Sequence, residues 1–268
     1  MIIGHYEQKK IVERILLNND NGFYILKGPE AVGKFFLLKE MILEINKEKR
    51  LFDYFIFDND DYILKINTAN FLNKLLFLKG EKKIIVINDA HRLNKEAQNR
   101  LLKTLEEFDS KSLVFFITFR AFKILPTIRS RSFQINFNLV DNEEIKNFLL
   151  SKNFDQKLID RLIEIFPGQI GFICKILENL NDFKKIYTIY NSNDVFEKID
   201  NLNRLNNFNL SEILTYFIYF ERKKLLNKDK NSIYKIKQLL SLYEDSQFFL
   251  NRDLQLINFF LNSYGKSI

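Results

Sequence analysis

Residues Gly28-Pro29-Glu30-Ala31-Val32-Gly33-Lys34-Phe35 match the pattern G-x-x-x-x-G-K-[ST] at every fixed position but the last. That pattern leaves a chain little freedom. Glycine-freed backbone amides point at phosphate oxygens, the lysine neutralises them, and a strand enters the loop while a helix leaves it. The flanks comply: Phe23 to Leu26 reads as a short buried strand and Phe36 to Lys47 as an amphipathic helix. The chain has only eight glycines, so two of them at this spacing between a strand and a helix argue against coincidence. The last position normally supplies a hydroxyl to a magnesium ion, and Phe35 has no oxygen to give. A nucleotide-type loop built on Gly28, Gly33 and Lys34 is expected, and hydrolysis at it is not.

Strands and helices alternate around this loop. His5 to Leu17 reads as a helix with Ile11, Ile15 and Leu16 inward. Phe52 to Phe57 reads as a second strand ending in the acidic turn Asp58-Asn59-Asp60-Asp61, and Ile66 to Leu78 as a helix closed by Gly80. Lys83-Ile84-Ile85-Val86-Ile87 is an apolar, β-branched run of the kind buried on both faces of a parallel sheet. Asn94 to Glu107 follows as a helix with Ala97, Leu101, Leu102 and Leu105 on its apolar side, then strands at Ser112–Thr118 and Phe133–Phe137. This alternation predicts a doubly wound α/β domain over residues 1–138, with right-handed crossovers.

The texture then changes. Asp141-Asn142-Glu143-Glu144 has the form of a capping box opening a helix to Lys152, and Asp155 to Phe166 forms another, broken by Pro167-Gly168. Beyond Gly171 there is no glycine until Gly265 and no proline, and apolar residues recur every three or four positions. Residues 139–180 and 181–268 are therefore expected to be two helical domains. Glu221-Arg222-Lys223-Lys224 reads as an exposed face.

A net charge of +7 permits a polyanionic partner without demanding one. The single cysteine, Cys174, rules out an internal disulfide and a cysteine-cluster zinc site, and it reads as a small core residue. The start Met1-Ile2-Ile3-Gly4-His5 lacks the form of a secretion signal, and no apolar stretch reaches membrane-spanning length, so a cytoplasmic location is expected. The 28 phenylalanines read as core filler.

The acidic pair that a nucleotide loop requires is sought in Ile85-Val86-Ile87-Asn88-Asp89-Ala90-His91. Registered on the apolar run, Asn88 takes the magnesium position and Asp89 the water-activating one. In the other register, Asp89 meets the metal and Ala90 the water, so either way one acidic role is lost. Leu125-Pro126-Thr127-Ile128-Arg129-Ser130-Arg131-Ser132 lies between the fourth and fifth strands, read as an edge loop. Its arginines are simple surface charge or, if one reaches a neighbouring subunit's γ-phosphate, a contact worth roughly 10³–10⁵ in rate. His5 and His91, the only histidines, are too few for a metal site and read as structural or surface groups. Arg100 reads as solvated charge.

Taken together, these segments resemble the AAA+ clamp-loader subunits of bacterial DNA polymerase III. Ile3-Gly4-His5 with Gln8 is similar to that family's opening box. Ala97-Gln98-Asn99-Arg100-Leu101-Leu102-Lys103-Thr104-Leu105-Glu106-Glu107 follows its A-Q-N-A-L-L-K-T-L-E-E, and Leu125 to Arg131 resembles the segment ending in Ser-Arg-Cys, with Ser132 for the cysteine. Asn251-Arg252-Asp253-Leu254-Gln255-Leu256 is weakly similar to the last collar helix. The resemblance implies an AAA+ domain, a helical lid and an oligomerising helical collar. Its partners would be tau/gamma and delta subunits in a heteropentamer that loads the sliding clamp onto primed DNA. Within the family, the hydrolytically silent delta-prime branch is closest in character, which implies an arginine finger at Arg131 acting in trans and the first sensor position at Thr118. The second sensor arginine, expected after Gly171, is replaced by Phe172. The helix that carries Arg100 faces duplex DNA in the family, so the resemblance implies a phosphate contact there as the alternative to solvated charge. The family's four-cysteine zinc module is not carried over, Phe108 stands where proline is expected, no cofactor is required, and ATP occupancy of the loop is left open. An active tau/gamma-type ATPase and a stand-alone DNA-binding module remain the alternatives.

Overall fold

The computed structural model describes residues 3–18, 21–49, 52–58, 82–106, 112–192, 194–203, 208, 210–226, 229, 231–245, 256, 259 and 260. The expected helix over residues 66–78, Gly80, residues 59–61, the segment 251–255 and the end of the 94–107 helix at Glu107 lie outside them. The chain divides into two compact units, Met1–Ile163 with Pro167–Gly171, and Glu164–Phe166 with Phe172–Ile268.

The first unit is built on β1 (Gly22–Lys27), β2 (Asp53–Phe57), β3 (Lys83–Ile87), β4 (Ser112–Thr118) and β5 (Ser132–Asn136). They form one sheet in the order β2-β3-β4-β1-β5, with every pair parallel. Side-chain alternation separates two cores. On one face Tyr24, Leu26, Ile84, Val86, Phe115 and Ile135 pack under α1 (Tyr6–Leu17) and α2 (Lys34–Lys49). On the other, Ile25, Ile85, Ile87, Val114 and Phe116 pack under α3 (Lys95–Glu106) and α4 (Pro126–Arg131). All five residues of β3 and all seven of β4 are buried, as the apolar run predicts for strands covered on both sides. The chain leaves β1 toward one face and β3 toward the other, which opens the carboxyl edge of the sheet as a binding crevice.

Local chemistry sets the helix ends. Asn94 caps α3 by accepting from the Ala97 N–H at 2.8 Å. Asp141 caps α5 (Asn142–Ser151) through the N–H groups of Glu143 and Glu144, and α6 (Gln156–Ile165) follows. Only that half of the expected capping box forms. The Glu144 carboxylate instead accepts from the Gly4 N–H at 3.0 Å and from the Tyr6 hydroxyl, tying the N-terminal segment down. In α1 the inward residues are Val12, Ile15 and Leu16, while Ile11 is exposed, because the stripe is set by packing on the sheet rather than by apolarity alone. The 125–132 segment is not a loop. Pro126 at the first helical turn and the buried Ile128 make it the short helix α4.

In the second unit every element among the described residues is helical: the body of α7 (Ile170–Glu178), α8 (Leu180–Asn191), α9 (Val195–Asn203), α10 (Leu210–Leu226) and α11 (Asn231–Asp245). Its core is aromatic, with Tyr216 meeting Phe166, Phe183 and Phe208 edge-on at 5.3–5.7 Å between ring centroids. The expectation of an exposed face at 221–224 fails at its first residue. Glu221 is fully buried, accepting from the Tyr190 hydroxyl at 2.6 Å and pairing with Lys224 at 3.0 Å. Burial alone would raise its carboxyl, but the hydrogen bonds from Tyr190, Ser232 and Lys224 outweigh that and hold it below its ordinary range. Among the described residues, no helix is long and apolar enough to cross a membrane.

Candidate functional site

The loop between β1 and α2 keeps the left-handed backbone its glycines permit, with φ of 148° at Gly28 and 99° at Gly33, and Ala31 also positive at 56°. A side chain at Gly28 would run into the Phe137 carbonyl, so this glycine is demanded by close backbone approach. Nothing lies within 4 Å of a Cβ at Gly33, where only the backbone angle calls for glycine.

Every carbonyl from residue 28 to 32 has a protein donor. The Lys34 ammonium donates to Gly28 at 3.0 Å and to Pro29. The Gln169 side-chain amide donates to Glu30 at 3.2 Å, and the Gly171 N–H to Ala31 at 2.7 Å. The His5 ring lies 2.8 Å from the Val32 carbonyl, which only accepts, so Nε2 carries the proton. Burial is the main cause lowering the His5 pKa. Three segments far apart in sequence thus hold one turn. Burial also pushes Lys34 down to about 8, with Glu30 and Asp89 pulling it back up.

Asn88 and Asp89 follow β3 at the same sheet edge. Asn88 shares the parity of Ile84 and Val86, the α2 face. Its amide donates to Asp58 Oδ1 at 2.7 Å, at the end of β2. Asp58 is raised above its ordinary pKa by burial, against the Asn88 hydrogen bond and the Lys39 charge. Asp89 sits in a left-handed conformation, φ 48°, opening the 3-10 turn Ala90–Arg92. Thr118 ends β4 beside Lys27 of β1, buried, its hydroxyl accepting from the Arg120 N–H at 2.9 Å. Gly28, Gly33, Lys34, Asn88, Asp89 and Thr118 therefore converge at the carboxyl edge. The lysine and the loop suit a phosphate. At the loop's last position stands a phenyl ring packed toward the α2 core, and after β3 stands the neutral carboxamide of Asn88, whose amide nitrogen donates to Asp58.

His91 is buried, and neither ring nitrogen has a hydrogen-bond partner among the described residues. Burial, with the charges of Arg120, Lys123, Arg92 and Lys34, pushes it down to about 3, so it is a neutral ring packed edge-on against Phe119 at 4.4 Å. Phe172, where the resemblance leads one to expect an arginine, is buried in the aromatic core of the second unit, 5.5 Å from Phe166. Arg100 pairs with Glu96 on the surface of α3. Cys174 is half-buried, and burial raises its thiol to about 11.

Arg131 does not join the convergence. It is the exposed last residue of α4, immediately before β5, whose first residue Ser132 pairs with Phe23 near the start of β1. The loop lies beyond the other end of β1. At about 3.3 Å per residue, the five positions from Phe23 to Gly28 put roughly 16 Å of strand between them. Arg129 is half-buried, with its Nε enclosed and without an acceptor.

Sequence reasoning alone gives no role to Gln98, which the structure makes a bridging residue. It is buried on α3, donates to the Leu93 and Lys123 carbonyls at 3.0 and 3.1 Å, and accepts from the Leu125 N–H at 2.8 Å. It joins the helix that follows the acidic strand to the N-cap of the arginine helix. The available signal is an amide at an inward-facing helix position, directly after Ala97. Gln169 and Glu144, reaching the loop and the N-terminal segment across more than 130 residues, leave no local signal at all.

The family described as DNA polymerase III, delta subunit, matches residues 46–141. The replication factor C small subunit of Picrophilus torridus is 26% identical over 245 residues, covering 85% of this chain and 73% of that protein. The DNA polymerase III subunit delta' of Buchnera aphidicola is 26% identical, covering 57% of this chain and 51% of that protein. The gamma subunit from the same organism is 32% identical over 113 residues, covering 40% of this chain and 31% of that protein. The crystal structure of a DNA polymerase III gamma subunit-related protein from Thermotoga maritima superposes with a TM-score of 0.54, covering 96% of this chain and 98% of that one, at 18% identity, a likeness of fold. With a five-stranded parallel sheet carrying a phosphate-loop turn, a helical unit after it and these relatives, the chain is similar to the AAA+ clamp-loader subunits of replication.

Proposed function

We propose that this chain is a delta-prime-like subunit of a DNA polymerase III clamp loader, assembled with tau/gamma and delta subunits in the cytoplasm to place the sliding clamp on primed DNA. Residues 1–138 serve as the AAA+ domain, 139–180 as the lid and 181–268 as the collar. Its own loop is a scaffold: Lys34 and the loop amides suit a phosphate, but Phe35 and Asn88 give magnesium no oxygen pair. Its contribution to hydrolysis is Arg131, which stabilises charge developing on a neighbour's γ-phosphate.

One observation carries the reading: Arg131 and the loop lie at opposite ends of β1, too far apart for one to serve the other within this chain. The test is a reconstituted loader with Arg131→Ala, in which the neighbour's ATP turnover is expected to fall by about 10³-fold. Unchanged turnover and clamp loading defeat the reading. The Asp89 charge near Lys34 favours a second reading, an active tau/gamma-type ATPase. Substantial magnesium-dependent ATP hydrolysis by the purified chain alone establishes that one instead.

A further inference from the structure

A six-residue helix is a poor platform for a residue that must be held still. So short a helix has little stability of its own, and its last four carbonyls have no partners within it. In α4 the carbonyls of Thr127, Ile128 and Arg129 are taken up by a set of side chains spaced two apart. Ser130 Oγ donates to the Thr127 carbonyl at 3.1 Å, Ser132 Oγ to Ile128 at 2.6 Å, and Gln134 Nε2 to Arg129 at 3.3 Å. The Ser132 N–H also donates to Arg129.

Ser132 and Gln134 belong to β5, where they pair with Phe23 and Ile25 of β1. By strand alternation they project to the same face, opposite the one on which Ile135 packs, and that is the face covered by α4 through Ile128. The Ile128 and Arg129 carbonyls, just before Arg131, are thereby fastened to Ser132 and Gln134 of β5, just after it.

We infer that Ser132 and Gln134 are positioning residues for Arg131, locking the last turn of α4 to β5 so that the guanidinium leaves the domain edge in one direction. This inference rests on the trans role of Arg131. The serine hydroxyl at 132 is the stronger donor where the family's motif has a cysteine thiol.

The test uses the reconstituted loader with ATP as substrate. Ser132→Ala with Gln134→Ala is expected to lower the neighbour's kcat roughly tenfold and leave KM for ATP unchanged, because misaiming a transition-state contact costs rate rather than ground-state binding. Ser132→Thr, which keeps the hydroxyl, is expected to restore kcat in the Gln134 background. The pair added to Arg131→Ala is expected to lower it no further. If Arg131→Ala lowers kcat while the paired variant does not, or if the paired variant adds a further loss on top of Arg131→Ala, the positioning role is overturned and the trans role stands. If Arg131→Ala has no effect, both fall together.

Discussion

The phosphate loop and the arginine helix are both brief segments set against β1, and they are built in opposite senses. The loop is held inward, its five carbonyls taken up by Lys34, Gln169, Gly171 and His5, with Gly28 pressed against the Phe137 backbone. The arginine helix is held from behind, by Gln98 at its N-cap and by Ser132 and Gln134 at its carbonyl end, leaving Arg131 at the exposed tip. The difference teaches that the loop's shape is fixed by contacts from the surrounding fold, whatever ligand the loop does or does not hold.

The sharpest way to break this contrast is to disable each end in turn within a reconstituted loader. Arg131→Ala is expected to reduce ATP turnover by about 10³-fold, and Lys34→Met by less than about threefold. A comparable loss from Lys34→Met would make the loop a working site and dissolve the contrast.

The next effect is on stability. Gly28→Ala forces a Cβ into the Phe137 carbonyl at a left-handed backbone angle and is expected to cost about 3 kcal/mol. Gly33→Ala meets no neighbour and is expected to cost only about 1 kcal/mol, the backbone angle alone. Denaturant unfolding of both variants checks the order, and equal costs would mean that the loop does not press on the sheet.

At the other end, Gln98→Ala strands the Leu125 N–H and the Leu93 and Lys123 carbonyls and is expected to cost about 2 kcal/mol. A neutral result in the same unfolding assay would remove the N-cap support assigned to the arginine helix.

The smallest effect concerns pH. Asp58 has its folded-state pKa raised, so its contribution is greatest when it is protonated and is lost as pH rises through that value. Restoring a carboxylate beside it by Asn88→Asp replaces a hydrogen bond with like charges. The variant is expected to lose about 1 kcal/mol relative to the parent at neutral pH and to recover on acidification. A variant as stable as the parent at neutral pH would show room there for a second carboxylate.

Most of the sheet is legible in the amino-acid sequence. Continuous apolar runs at 83–87 and 112–118 announce strands covered on both faces, and the glycine spacing at 28 and 33 announces the turn between β1 and α2. The departures from the motif at Phe35, Asn88 and Phe172 are legible as well, because residue identity is a fact of composition. Less legible is anything whose partner is distant. The acidic motif at 141–144 reads as a complete capping box, yet Glu144 serves Gly4 and Tyr6. The charged run at 221–224 reads as surface, yet Glu221 is enclosed by Tyr190 and Lys224. In both cases local pattern loses to a tertiary partner.

The sequence by itself determined that this chain winds a parallel sheet around a phosphate-type turn, that Phe35 stands where that turn's hydroxyl is expected, and that an arginine pair lies between the fourth and fifth strands. These follow from periodicity and residue chemistry, which act over a few neighbouring positions. Only the tertiary structure decided that the arginine segment is a helix, that Arg131 lies at the opposite end of β1 from the loop, and that Gln98, Ser132 and Gln134 brace it. Those depend on strand order and register, which bring residues together through parallel pairing rather than along the chain.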